Sequence, residues 1–169
     1  MIDIPERVNL ASYYLDSNLE AGRADRTALH FEGKKFSYLD MAKLANRVGN
    51  ALKNLGVEIE DRVLIALNDT PEFVATWFGM IKIGAVATDV YSYLQPKDYE
   101  YFLNYTRAKV AVVDASTVDK IESVASKCKH LKHLMVVGQA AHGKLLSFED
   151  LVGKASDRLD PEDTHADFR

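Results

Sequence analysis

Gly138-Gln-Ala-Ala-His-Gly143-Lys144 has the GxxxxGK spacing of a phosphate-binding loop, and it follows the apolar run Leu134–Val137. Such a loop needs backbone N–H groups around the phosphates, a lysine for the outer ones and a hydroxyl for Mg²⁺. Leu145 stands where the hydroxyl belongs, and the next helix start, Ser147, comes too late to aim a dipole at the loop. The spacing therefore reads as a surface loop. Lys127-Cys128-Lys129-His130-Leu131-Lys132-His133 gathers a thiol and two imidazoles, but no comparable Cys/His pair elsewhere supplies a fourth ligand for zinc. It reads as a solvated face, and no metal ligand is assigned. Cys128 has no partner that would make it a nucleophile, and His30 sits in a strand-like run with nothing nearby to build a triad. The acids Asp157, Asp160, Glu162, Asp163 and Asp167 lack EF-hand spacing and read as solvated charge. No catalytic residue is assigned.

Aromatic residues form a second group: Tyr91, Tyr93, Tyr99, Tyr101, Phe102 and Tyr105. Base stacking would need interleaved Lys or Arg, and Lys97 alone falls among them, so nucleic acid is not the expected partner. Tyr99 and Phe102 are spaced for a helix core. Tyr91 and Tyr93 fall in the loop after an expected parallel strand, the end at which open α/β sheets bind ligands. Two alternatives stay open for them: cofactor contact in a strand-end pocket, or packing on a neighbouring helix.

The chain has 169 residues, 47% of them hydrophobic, enough for one domain with a core. A net charge of −4 gives no electrostatic reason to expect nucleic acid or an anionic membrane. One cysteine excludes an internal disulfide framework and fits a reducing compartment. The start, Met1-Ile-Asp-Ile-Pro-Glu-Arg, lacks a signal peptide's apolar region, and no run approaches the ~20 residues of a membrane span. A soluble cytoplasmic protein is expected.

Residues 9–21 read as an amphipathic helix with Leu10, Tyr14 and Leu15 on one side and Gly22 as its stop. Thr27–Phe31 and Lys35–Ser37 flank Glu32-Gly33-Lys34 as a hairpin. Ser37 with Asp40 resembles a capping box, followed by Met41, Ala45, Val48, Leu52 and Leu55 at helical spacing, then Gly56. From there the order is strand Arg62–Leu67, helix Pro71–Ile83, strand Ala85–Asp89, helix Pro96 to about Thr106, strand Lys109–Val113, helix Val118–Lys127 and strand Leu134–Val137. Ser147 and Asp150 start a last short helix. Helical crossovers imply parallel strands with right-handed connections. The expected fold is therefore α/β: a mostly parallel sheet with flanking helices, preceded by a helix and a short β-hairpin. The helix Pro71–Ile83 is apolar almost all round, which calls for cover on more than its sheet side. From Ala155 onward the polar, aperiodic sequence reads as a linker.

Several segments resemble the acyl-CoA synthetases of the adenylate-forming superfamily, with the nearest likeness to the benzoate–CoA ligase branch. They are Lys35–Asp40 (KFSYLD), Gly56–Leu67 (GVEIEDRVLIAL), Asn68–Val90 (NDTPEFVATWFGMIKIGAVATDV), the LSFEDLV segment, and the acidic run ending Thr164-His165-Ala166-Asp167. Glu60 stands where that family usually has glycine. The resemblance implies an N-terminal α/β subdomain over 1–154, and an acidic linker over 155–169 leading towards a phosphate loop that lies beyond Arg169. It implies a full enzyme that uses ATP, Mg²⁺ and coenzyme A to turn a carboxylic acid, aromatic and benzoate-like, into an acyl-adenylate and then an acyl-CoA. The partners implied are that acid, ATP, CoA and the remaining domains of the same enzyme, with neither nucleic acid nor membrane. The residues 1–169 alone are expected to be inactive. Some relatives place an arginine after the Ala85–Asp89 strand to meet the CoA nucleotide, and Tyr93 stands at the corresponding position here. The alternative function is a stand-alone α/β binding or interaction module.

Overall fold

The structure is a computed structural model and describes residues 5–164. Its centre is a five-stranded sheet, all parallel, in the order β4-β3-β5-β6-β7. The strands are β3 Arg62–Ala66, β4 Val86–Asp89, β5 Val110–Asp114, β6 His133–Val137 and β7 Leu145–Ser147. A separate hairpin pairs β1 Thr27–Phe31 with β2 Lys34–Ser37. The helices are α1 Ser17–Glu20, α2 Tyr38–Asn54, α3 Pro71–Lys82, α4 Pro96–Thr106, α5 Val118–Ala125 and α6 Phe148–Lys154.

Strand alternation divides the core in two. Val63, Ile65, Val110, Val112 and Met135 face a cluster shared with α2, α3 and α6. Their neighbours Leu64, Ala66, Ala111, Val113, Leu134 and Val136 face α4 and α5 through Tyr99, Leu103, Val118, Ile121 and Val124. Both faces of the central strands are buried, which explains why they read as unbroken apolar runs.

Local chemistry sets the joints. Ser37 and Asp40 form a reciprocal capping box at α2, which holds the Asp40 carboxyl below its ordinary range through the Ser37 hydroxyl and backbone N–H. Thr70 accepts from the Phe73 N–H at 3.3 Å, with Pro71 at the first position of α3. The hairpin turn uses two residues rather than three. Glu32 and Gly33 both take positive φ, 47° and 76°, and Lys34 already belongs to β2.

Three further expectations need correction. The first helix contains a π-helical turn, Ser12–Asp16, running into α1. Leu15 is buried with Ala11, whereas Leu10 and Tyr14 are 43% and 57% exposed. The face is set by polar anchors: Asn9 and Asp16 turn inwards to the end of α3, so the neighbouring side chains rotate out. Secondly, β7 follows β6 in parallel without a helix between them, pairing Leu134 with Leu145. Three residues are too few to show a strand period. Thirdly, residues 155–164 hold no helix or strand, yet they do not form a solvated tether. Side-chain amides dock their backbone: Asn46 donates to the Asp157 carbonyl (2.9 Å), and Asn50 to those of Ser156 (2.8 Å) and Arg158 (2.9 Å). Leu159 packs onto the core beside Gly49. A hydropathy pattern carries no trace of donors supplied by another helix. Asp167, at the end of the acidic run, lies outside the described residues.

Helix α3 finds its cover in α2. Gly79 of α3 meets Ala45 and Gly49 of α2 at backbone contact, so the two helices approach backbone to backbone at their crossing. Phe73, Val74, Trp77, Phe78 and Ile81 are half-buried against the main core, and neither Trp77 nor Phe78 is among the exposed large hydrophobic residues.

Candidate functional site at the strand ends

The chain leaves β3 through α3 on one face of the sheet and leaves β5 through α5 on the other. β3 and β5 are adjacent, so their carboxyl ends mark the switch point where open α/β sheets leave a crevice. Each strand ends on a polar residue, Asn68 after β3 and Asp114 at the end of β5. The Asn68 amide donates to Asp114 Oδ2 at 2.7 Å. The loop after β4 reaches across to join them: Ser92 Oγ donates to Asn68 Oδ1 at 3.0 Å. Asp114 Oδ1 also accepts from the Thr117 hydroxyl (3.0 Å), the Ser116 hydroxyl (2.6 Å) and the Ser116 N–H (3.0 Å).

The same loop is pinned from beneath. Tyr99 is fully buried and donates its hydroxyl to the Tyr91 carbonyl at 3.0 Å, and burial pushes its phenol pKa up. Lys120 donates to the Ser92 carbonyl at 3.4 Å, and the Thr117 hydroxyl lies at the same distance from it. With its backbone held this way, the loop turns two rings outward. Tyr91 and Tyr93 are 67% and 65% exposed, with ring centroids 5.1 Å apart. They border an open groove of about 480 Å³ with Leu67, Asn68, Phe73 and Asp89. Partial desolvation raises the Asp89 carboxyl above its ordinary range, partly offset by the nearby Trp77 side chain. The arrangement can offer aromatic faces and carboxylates to a ligand at the rim. Its polar core is spent on holding the loop.

The other sequence candidates lie apart. The GxxxxGK segment forms the exposed β6–β7 connection, and the Gly138 N–H donates to the Glu149 carboxylate at 2.8 Å. A carboxylate of the chain itself takes the place a phosphate would need. Cys128 is buried, donates to the Val124 carbonyl, and has its thiol pKa raised by burial. His130 is exposed, and His30 lies on the exposed hairpin. Among the described residues no group of three His, Cys, Asp or Glu side chains could hold a metal ion. Hydropathy reading missed Asn68, Ser92, Asp114 and Thr117. Their signal was a polar residue closing each apolar run, ALN after β3 and VVD in β5.

Residues 16–167 match the family described as AMP-binding enzyme. The chain belongs to that family. Benzoate–CoA ligase of Thauera aromatica is 34% identical over 167 residues, covering 98% of this chain and 31% of that protein. Acetyl-coenzyme A synthetase of Bacillus subtilis is 30% identical over 163 residues, covering 92% of this chain and 28% of its own length. Among solved structures, the anthranilate CoA ligase AuaEII in complex with anthranoyl-AMP superposes with a TM-score of 0.91 at 34% identity, over 96% of this chain and 31% of that one. A benzoate CoA ligase from Burkholderia xenovorans LB400 gives a TM-score of 0.76 at 26% identity, over 88% and 29%. The chain thus spans about a third of the length of these family relatives. Among the described residues no helix is long and apolar enough to cross a membrane.

Proposed function

We propose that this chain is the amino-terminal α/β part of an AMP-forming acid–CoA ligase that acts on an aromatic carboxylate. The observation that carries the proposal is the 0.91 TM-score, over 96% of the chain, to a ligase holding an aromatic acyl-adenylate. The 34% identity to a benzoate–CoA ligase supports the same acid class. Residues 1–154 then serve as the subdomain and 155–169 as its connection to the rest of a cytoplasmic enzyme.

The reaction would run in two steps. A carboxylate oxygen attacks the α-phosphorus of ATP as the bond to pyrophosphate breaks, with Mg²⁺ neutralising the phosphates. The CoA thiolate then attacks the acyl carbon and AMP leaves. The strand-end network described above supplies no nucleophile–base pair for either step. Its contribution is to hold Tyr91 and Tyr93 at the rim, where their rings could stack on the nucleoside of CoA.

Two experiments test this. With the complete enzyme, ATP, Mg²⁺ and CoA, AMP release is expected with benzoate or 2-aminobenzoate well above acetate. A preference for acetate would remove the aromatic assignment. Tyr93→Ala should raise KM for CoA about tenfold, the scale of one lost ring stack, with KM for ATP unchanged and Tyr93→Phe near wild type. An unaltered KM for CoA would show that the rim does not touch that cofactor.

A further inference from the structure

We infer that Asn9 is a positioning residue that clamps the 155–164 strap to the end of α3, fixing where the polypeptide departs after Thr164. Asn9 is 7% exposed, and its amide nitrogen faces three backbone carbonyls: Ile81 (3.1 Å), Lys82 (3.2 Å) and Glu162 (3.0 Å). Its Oδ1 does a different job, capping the first helical turn by accepting from Ala11 N–H (3.0 Å) and Ser12 N–H (3.4 Å). One side chain therefore joins the N-terminal segment, the C-terminal end of α3 and the strap.

The surrounding contacts converge on the same place. The Glu162 N–H donates to the Lys82 carbonyl at 2.8 Å. The Val8 N–H donates to the Thr164 carbonyl at 2.8 Å, and the Thr164 hydroxyl returns to the Val8 carbonyl at 2.7 Å. Arg7 pairs with Asp163 at the exposed end. The last carbonyls of a helix have no intrahelical partner, and here a side-chain amide and a strap N–H satisfy them. The Ile81 carbonyl also accepts from the Gly84 N–H at 2.9 Å, so a free connector would leave the Lys82 carbonyl to water. On the ligase reading, on which the next step rests, the strap leads towards a phosphate-binding loop beyond Arg169. The clamp then bears on ATP and not on the acid.

Asn9→Asp separates the two roles, because aspartate keeps the capping oxygen and loses every N–H donor. Asn9→Ser does the same without adding charge, and serves if the aspartate variant folds poorly. In this chain, amide hydrogen exchange at Glu162 and Val8 should rise about tenfold or more, while β5 core amides keep their protection. In the complete enzyme, the same variants should raise KM for ATP about tenfold and leave KM for the acid within about twofold. Unchanged exchange at Glu162 in both variants would overturn the clamp. Faster exchange with an unaltered KM for ATP in an active enzyme would overturn the positioning role. A wild-type enzyme with no acid-dependent ATP chemistry would remove the ligase reading and the ATP role with it, while exchange still judges the clamp.

Discussion

Gly79→Ala is expected to destabilise the protein by about 3 kcal/mol, although alanine is the better helix former by about 1 kcal/mol. A Cβ at Gly79 would stand 2.6 Å from the Ala45 carbonyl oxygen and 2.9 Å from the Gly49 nitrogen. Both are backbone atoms of α2, so no rotamer change relieves the overlap; the helices must separate. Separation would loosen the Val48, Met80 and Ile83 packing that joins α2 to α3. Gly49→Ala meets the same crossing from the other side, with the Gly79 carbonyl oxygen at 2.9 Å and the Leu159 side chain closer still. Gly153 in α6 provides the control: nothing lies within 4 Å of its Cβ position, and alanine there should stabilise slightly. Urea unfolding of the three variants reads the contrast directly. Equal, small effects at Gly79 and Gly153 would show that the α2–α3 crossing is not tight.

Asp16→Ala should cost about 3 kcal/mol, because it strands a buried ammonium. Lys82 is 3% exposed and donates to Asp16 Oδ1 and to Asn46 Oδ1, each at 2.8 Å. Removing Asp16 leaves the charge one neutral acceptor in a site largely closed to water. The figure sits at the low end of the usual range because Asp16 itself is 22% exposed and water can partly replace it. Lys82→Met should cost less, about 1 kcal/mol, since the carboxylate left behind reaches solvent and a methionine fills similar volume. The double variant should therefore be more stable than Asp16→Ala alone. Thermal unfolding of all four proteins measures the coupling. Additive losses would mean that the pair contributes nothing beyond its packing.

These sites show where the sequence was legible and where it was not. Apolar runs, proline and hydroxyl caps, and glycine stops are local signals, and they located β3, β4, α2, α3 and α4 to within a residue or two. The loop carrying Tyr91 and Tyr93 could be placed at a strand end for the same reason. The network beneath it could not, since Asn68, Ser92 and Asp114 meet only after three segments are brought together. The docked strap is a like case. Its carbonyls are held by Asn46 and Asn50, more than 100 residues earlier, and by Asn9 at the other end of the chain. Strand β7 was invisible because three residues show no period. Asn9 and Asp16 turned the first helix through contacts that no periodicity contains.

The most direct test of the ligase account is acid-dependent exchange of labelled pyrophosphate into ATP. The assay compares residues 1–169 alone with the complete enzyme of which they are proposed to be part, using benzoate as the acid. The account predicts exchange by the complete enzyme only when benzoate is present, and none by residues 1–169. Exchange by residues 1–169 alone, or its absence from the complete enzyme across aromatic and short aliphatic acids, would contradict it.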